Sequence, residues 1–405
     1  METIAVLFGG RSVEHEVSIV TALQIMENLD PQAYRPLPIY IARNGMWYSS
    51  PKFRQVEAFQ SERLAKSLQE AALVHWLPMP GQTLRLLPQE LPTNADKRGW
   101  FGKAKPALEP QEIHIDAVIP ALHGTNGEDG SVQGFLELTG TPYTSAGLVG
   151  SSVGMDKIVM KSVFAGEGIP IVRYEWFTRD EWRQQPDDII ARLLQALPFP
   201  VFVKPCNLGS SVGISRADDE GQLRTAIEVA SFYDARILVE QGVDKAVEIN
   251  VSVLGDEQTS QVSLCERPVS WEAFLTYEDK YIRGNFNKGS SAAREIPAQL
   301  PDDRTAHIQA LAKRAFHAVQ AKGVVRVDFL VSEGGEVFVN EINTIPGSFA
   351  FYLWEPTGLT YRSLLSQLIV LAKGSALRKQ ENMTSFDTEL LEKFQGQKFS
   401  KYGGK

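Results

Sequence analysis

Two cysteines, Cys206 and Cys265, are all that 405 residues contain. That is too few for a disulfide framework or a multi-cysteine zinc site. No run of about 18 uninterrupted apolar residues occurs, so no membrane span is expected. Basic clusters are missing as well: the formal net charge is −8, which argues against a nucleic-acid-binding surface but leaves room for a local basic site. The opening METIAVLFGG has neither the basic start nor the long apolar stretch of a signal peptide, and a cytoplasmic location is expected. Internal repeats and low-complexity tracts are absent too. What is there, 43% hydrophobic and 22% charged, has the composition of a globular protein, and the length predicts two or three domains. An enzyme acting on small molecules is the default class.

The first β-rich run, residues 4–8, ends in Gly9-Gly10 and is followed by a helical pattern through Val17, Leu23 and Met26. Strand, glycine turn and helix predict a βαβ-type opening, with further strands at 35–41 and 117–121. Residues 51–112 mix apolar and polar pieces with several Pro and Gly. They read as an insertion with a helix near 57–72 and a hairpin near 73–88. The character changes near residue 150: a helix over 155–166, a strand at 202–204, a helix at 221–231, then strands within 237–265 and 324–343. The expected divisions are 1–150, 151–236 and 237–375, with a polar tail at 376–405.

Three stretches carry chemistry. In FVKPCNLGSSVGIS, residues 202–215, Lys204 ends a strand and precedes a loop of Gly209, Ser210, Ser211 and Gly213. Small residues let backbone N–H groups approach an anion, and the lysine adds charge. A plain surface turn is the alternative. In VVRVDFLVSEGGEVFVNEIN, residues 324–343, Arg326 and Asp328 share one strand face, and Glu341 and Asn343 share another. Pairing those strands gathers Asp328, Glu341 and Asn343 into an oxygen cluster suited to Mg²⁺ and phosphate, with Arg326 beside it for developing negative charge. A structural ion-pair network is the alternative. In VEQGVDKAVEINVSVLG, residues 239–255, Glu240 and Glu248 flank a connector that could meet an adenine and a ribose, or could simply be solvated.

In this order, these stretches resemble the ATP-grasp superfamily. LFGGRSVEHEVS (7–18), ALHGTNGEDGSVQGFLELTGTPYTSAG (121–147), GMDK (154–157) and YEDKY (277–281) narrow the resemblance to the D-alanine–D-alanine ligase family, over about residues 1–50 and 113–373. The resemblance implies an α/β protein: an ATP-grasp fold preceded by a Rossmann-like pre-ATP-grasp domain. It implies ATP and two Mg²⁺ (or Mn²⁺) ions as cofactors and D-alanine as substrate, with no nucleic-acid or membrane partner, and a homodimer. The implied reaction serves peptidoglycan precursor synthesis: one D-alanine carboxylate is phosphorylated by ATP, and the amine of a second D-alanine then displaces phosphate.

By motif position the resemblance assigns Glu14 to the ammonium of the first D-alanine, with His123 near the same substrate. Lys157, Lys204 and Lys280 go to ATP phosphates, Ser210 and Ser211 to the loop over them, and Glu240 and Glu248 to the nucleoside. Tyr281 joins a network with Glu14 and Ser210 in a lid that excludes water. Arg326 and the Gly347 N–H hold the tetrahedral oxyanion, and Asp328, Glu341 and Asn343 bind the metal ions. Simpler roles exist for some of them: Glu14 as a carboxylate at a helix N-terminus, His123 as a buried histidine, Tyr281 as a packing anchor. One stretch departs from the family pattern. After NTIPG comes SFAFYLWEPTGLTY, which puts Tyr352 where a serine usually meets the second substrate. A sibling ligase taking D-serine or D-lactate as second substrate, or a non-catalytic nucleotide-binding regulator, are the rival readings.

Overall fold

The computed structural model describes residues 1–89, 109–268, 294–383 and 385. Its first sheet has seven strands: β1 (Glu2–Gly9), β2 (Tyr34–Ile41), β3 (Trp47–Ser49), β4 (Ala72–His75), β5 (Thr83–Leu87), β6 (Gln111–His114) and β7 (Ala117–Pro120). They run in the order β6-β5-β4-β3-β2-β1-β7. Ile4 through Phe8 are all fully buried, as a central parallel strand covered on both faces should be. β1 pairs in parallel with β2 and β7, and helix α1 (His15–Asn28) crosses from β1 to β2. The expected βαβ opening is present.

The described parts of 51–112 contain the expected helix and hairpin, and they are built into the first sheet. After helix α2 (Ser61–Glu70), β4, β5 and β6 pair antiparallel and extend the first sheet beyond β3. Helix α3 (Ser131–Thr139) packs its Leu136 and Val132 against Leu7 and Val118 on one face of that sheet.

The helix expected over 155–166 is α5 (Lys157–Gly166), and a further helix, α4 (Leu148–Met155), precedes it. Asp156 separates them and caps the second, its carboxylate accepting from Ile158 N at 3.1 Å and Val159 N at 3.0 Å. A second sheet, wholly antiparallel, contains β8 (Tyr174–Thr178), β9 (Val201–Pro205), β10 (Ser215–Ala217) and β11 (Arg236–Gln241) in the order β10-β9-β11-β8. Helices α6 (Arg179–Gln184), α7 (Pro186–Ala196) and α8 (Glu220–Tyr233) cover it.

A third sheet is built from β12 (Val247–Gly255), β13 (Ser260–Val262), β16 (Gly323–Val331) and β17 (Val337–Asn343), in the order β13-β12-β16-β17. The two-residue strands β14 (Arg267–Pro268) and β15 (Arg294–Glu295) pair separately. Helix α9 (Asp302–Ala318) buries Ile308, Leu311 and Phe316 against one face, which Ile249, Val251, Val325, Val327 and Phe329 supply. The chain then returns to the first sheet. Helix α10 (Tyr361–Gln380) places Leu364, Leu365 and Leu368 in the cluster that holds Ile4, Val6 and Phe8. Residues 376–380, expected as tail, continue this helix.

Candidate active site

The alternation of VFVNEIN breaks in the middle, and the third sheet shows why. Val337 and Val339 are buried, and so is Ile342, three positions on rather than two. A β-bulge accounts for the change of parity: Asp328 pairs with Glu341 but Phe329 pairs with Val339, leaving Asn340 as the extra residue. Past the bulge Glu341 lies level with Asp328, and Asn343 level with Arg326. β12 continues both rows, Asn250 opposite Asp328 and Ser252 opposite Arg326. The face turned away from α9 therefore carries two polar rows, Asn250–Asp328–Glu341 and Ser252–Arg326–Asn343.

Within those rows Arg326 forms a two-pronged pair with Asp328, Nε to Oδ1 at 2.6 Å and Nη2 to Oδ2 at 2.7 Å. Asn343 Nδ2 also donates to Asp328 Oδ2 at 3.0 Å. Burial works against the guanidinium, but Asp328 holds it firmly charged. Among the described residues no three His, Cys, Asp or Glu side chains gather into a metal cage. Two carboxylates and an amide are the donor set expected when Mg²⁺ keeps water and takes its remaining ligands from phosphates, so the residues fit such an ion.

Opposite this sheet stand β9 and β11. Glu240 is 3% exposed and lies between two ammonium groups, Lys161 Nζ at 2.8 Å and Lys204 Nζ at 2.5 Å. Burial alone would raise its pKa, but the two lysines hold the carboxyl down to about 2. Lys204 also donates to Asn340 Oδ1 at 3.3 Å, so the bulged residue links the third sheet to the second. Glu240 is thus paired with two lysines rather than simply solvated. Glu248 occupies the same face of β12 as Asn250, two residues away.

Lys157 opens α5 and donates from Nζ to Leu208 O at 2.7 Å, at the start of the glycine–serine loop. Ser210 and Ser211 in that loop have left-handed backbones, with φ of 53° and 58°. Ser210 Oγ donates to the Glu14 carboxylate, joining residues 196 positions apart. Glu14 directly precedes α1 and is 5% exposed. Gly124 is wrapped against it: with φ of +68°, a Cβ there would lie 2.6 Å from Glu14 Oε2. His123 is buried beside it, its Nε2 2.9 Å from Thr21 Oγ1, and burial lowers its pKa to about 4. At neutral pH the imidazole is uncharged and does not compete with an ammonium group.

Gly347 starts a short turn, Gly347–Ala350, directly after Pro346. The apolar letters behind it anchor that turn. Phe349 and Trp354 are each 2% exposed and join the cluster under the first sheet, and Trp354 Nε1 donates to Ser252 Oγ at 3.0 Å. Tyr352 remains half-buried, with the Arg294 guanidinium 3.8 Å above its ring. Arg294 in turn lies 3.5 Å from Glu266.

The structure therefore brings Glu14 to Ser210, sets His123 next to the Gly124 that presses on Glu14, carries Lys157 to the loop of Ser210 and Ser211, joins Arg326, Asp328 and Asn343, and ties Lys204 both to Glu240 and to Asn340 beside Glu341. Lys280 and Tyr281 lie outside the described residues. Sequence pattern alone does not single out Lys161, Glu128 or Asn340. Lys161 had a signal, standing four residues after Lys157 and so on the same helix face. Asn340 had none, because its direction depends on the bulge.

Two family models cover most of the chain: one described as D-ala D-ala ligase N-terminus matches residues 3–146, and one described as D-ala D-ala ligase C-terminus matches 163–370. A D-alanine–D-alanine ligase from Bacillus velezensis is 36% identical over 92% of this chain and 98% of its own length. One from Solibacter usitatus is 39% identical over 93% of this chain and 97% of its own. Among solved structures, the D-alanine-D-alanine ligase from Coxiella burnetii superposes with a TM-score of 0.74 at 29% identity, covering 98% of this chain and 99% of that one. The VanG D-Ala:D-Ser ligase from Enterococcus faecalis superposes with a TM-score of 0.72 at 27% identity, covering 92% and 99%.

Proposed function

The chain belongs to the D-alanine–D-alanine ligase family, and from that premise we propose that it joins two D-alanine molecules at the expense of ATP, forming the dipeptide for peptidoglycan precursors. The observation that carries this reading is the contact between Glu14 and Ser210, which sets a buried carboxylate against the glycine–serine loop. An amino acid held by its ammonium at Glu14 has its own carboxylate directed toward whatever phosphate that loop cradles.

In the first step a carboxylate oxygen of that D-alanine attacks the γ-phosphorus of ATP, ADP leaves, and an acyl phosphate forms. Lys157 and Lys204 offset phosphate charge, and Lys161 keeps Glu240 ionised and occupied so that it does not repel the nucleotide. In the second step the amine of another D-alanine adds to the acyl carbon. Arg326 and the Gly347 N–H take up the charge that develops on oxygen, and collapse expels phosphate. Asp328, Glu341 and Asn343 would hold Mg²⁺ or Mn²⁺, which would supply further neutralisation of phosphate charge. By motif position Lys280 is assigned to phosphate and Tyr281 to hydrogen bonding with Glu14 and Ser210. A cytoplasmic homodimer completes the reading; no helix among the described residues is long and apolar enough to cross a membrane.

One observation favours a second reading of the acceptor. Tyr352 lies under Arg294 where the family usually has serine, which changes the shape and charge met by the second substrate. Purified full-length chain with ATP, Mg²⁺ and D-alanine should yield ADP and D-alanyl-D-alanine by mass spectrometry. Dipeptide formation only when D-serine is added, or depsipeptide only with D-lactate, transfers the assignment to the second reading. ATP binding with no ADP under any of these conditions overturns both.

A further inference from the structure

Glu128, in the loop between β7 and α3, uses both carboxylate oxygens on backbone N–H groups, one in its own loop and one far along the chain. Oε2 accepts from Gly124 N at 2.9 Å, and Oε1 accepts from Ile345 N at 3.0 Å, 217 residues away. Gly124 is the residue pressed against Glu14. Ile345 lies two residues before Gly347. One side chain thus spans from the wall of the first-substrate pocket to the turn that carries the oxyanion donor.

The same seam has other stitches. Ser348 N donates to Thr21 Oγ1 at 3.4 Å, Ser348 Oγ donates to Gln24, and Thr21 meets His123. They hold a turn in which Ser348, Phe349 and Ala350 have φ of 49°, 56° and 50°, three consecutive left-handed residues without a glycine among them. Such a turn keeps its shape only if the surroundings over-determine it. Glu128 is half-buried, and Glu14 and Glu341 face it; burial, then the Glu14 charge, pushes its carboxyl up to about 8 against the pull of the Gly124 and Ile345 N–H groups, so both oxygens accept fully only above that pH.

We propose that Glu128 is a positioning residue for ligation, fixing the Glu14 pocket and the Gly347 turn at one separation and orientation. The role rests on the ligase reading above. It requires two acceptor atoms at the end of a glutamate-length side chain. Glutamine offers one acceptor and turns its NH₂ against the other N–H, and aspartate is a methylene too short to reach both.

The test compares wild type with Glu128→Gln and Glu128→Asp in the full chain at about pH 9, where the Glu128 carboxyl is ionised and accepts at both oxygens. Both variants should lower kcat about 10- to 100-fold, the scale of one misplaced charge-stabilising donor, with KM for ATP within about twofold of wild type. Amide hydrogen exchange without substrates should quicken at residues 344–350 in both variants and stay unchanged in β1. A variant that melts earlier but retains wild-type kcat per folded molecule shows a purely structural role and overturns the proposal. If wild type makes no dipeptide, the ligase reading fails on its own; exchange at 344–350 then decides for or against the Glu128 clasp, and unchanged exchange sinks it.

Discussion

At the scale of single residues, the chemistry is set by where each charge is buried and what it faces. Glu14 is buried beside Ser210 and a neutral His123, so its negative charge stands against an arriving ammonium. Glu14→Gln removes a charge-assisted contact of about 2–3 kcal/mol, which should lower kcat/KM for D-alanine roughly 30- to 150-fold. Steady-state kinetics at saturating ATP reads this directly, and a loss under about threefold would place the ammonium elsewhere. Tyr352 poses the opposite question, since its ring is covered by Arg294 and burial raises the pKa of its hydroxyl. Tyr352→Phe keeps the stacked ring and removes only the O–H. If the phenol holds the acceptor carboxylate, KM for the second D-alanine should rise about tenfold, the worth of one hydrogen bond to a charged group; an unchanged value assigns that contact to Arg294.

At the scale of elements, two local irregularities build the site. The bulge at Asn340 turns one strand from apolar to polar on its site face, so that Val339 packs inward and Glu341 projects outward. The turn at Ser348–Ala350 stores about 1–2 kcal/mol per left-handed residue, offset by burial of Phe349 and Trp354 and by the bonds to α1. Gly124 is the third special point. Gly124→Ala forces a Cβ at φ +68° to within 2.6 Å of a Glu14 oxygen. The expected result is a melting temperature lowered by only a few degrees, the effect of about 1 kcal/mol of backbone strain, with a disproportionate rise in KM for D-alanine. Equal losses in both would mean that Glu14 moves freely with its loop.

For the molecule as a whole, three sheets meet at one polar seam, and the buried Lys161–Glu240–Lys204 group lies within it. Glu240 has a folded pKa near 2, below its unfolded value of 4.5. Its stabilising contribution is therefore complete above about pH 4.5 and is lost as pH falls toward 2. Glu240→Gln leaves two buried ammonium groups facing a neutral amide and should cost about 3–5 kcal/mol at pH 7. Urea titrations of both proteins from pH 7 down to 3 should show that difference shrinking below pH 4.5. A gap that stays constant over this range would show that the carboxyl is not the group responsible.

The sequence by itself determined the βαβ opening, the family and most of the site letters, because those follow from local patterns: an apolar run before Gly9-Gly10, a lysine before a glycine–serine loop, acids spaced two apart. It did not determine how residues 51–112 join the first sheet, since short strands declare a partner only when paired. The direction of Asn340 was equally hidden, because a bulge changes side-chain parity without changing any letter. Glu128 stood inside a quoted motif, yet its role depends on an N–H 217 residues away. The apolar letters after Pro346-Gly347, which read as a departure, are the anchor of the turn. Spacing along a chain fixes which face a residue shares with its neighbours; only tertiary packing decides which distant group meets that face, and here the meeting of three sheets turns scattered letters into a site.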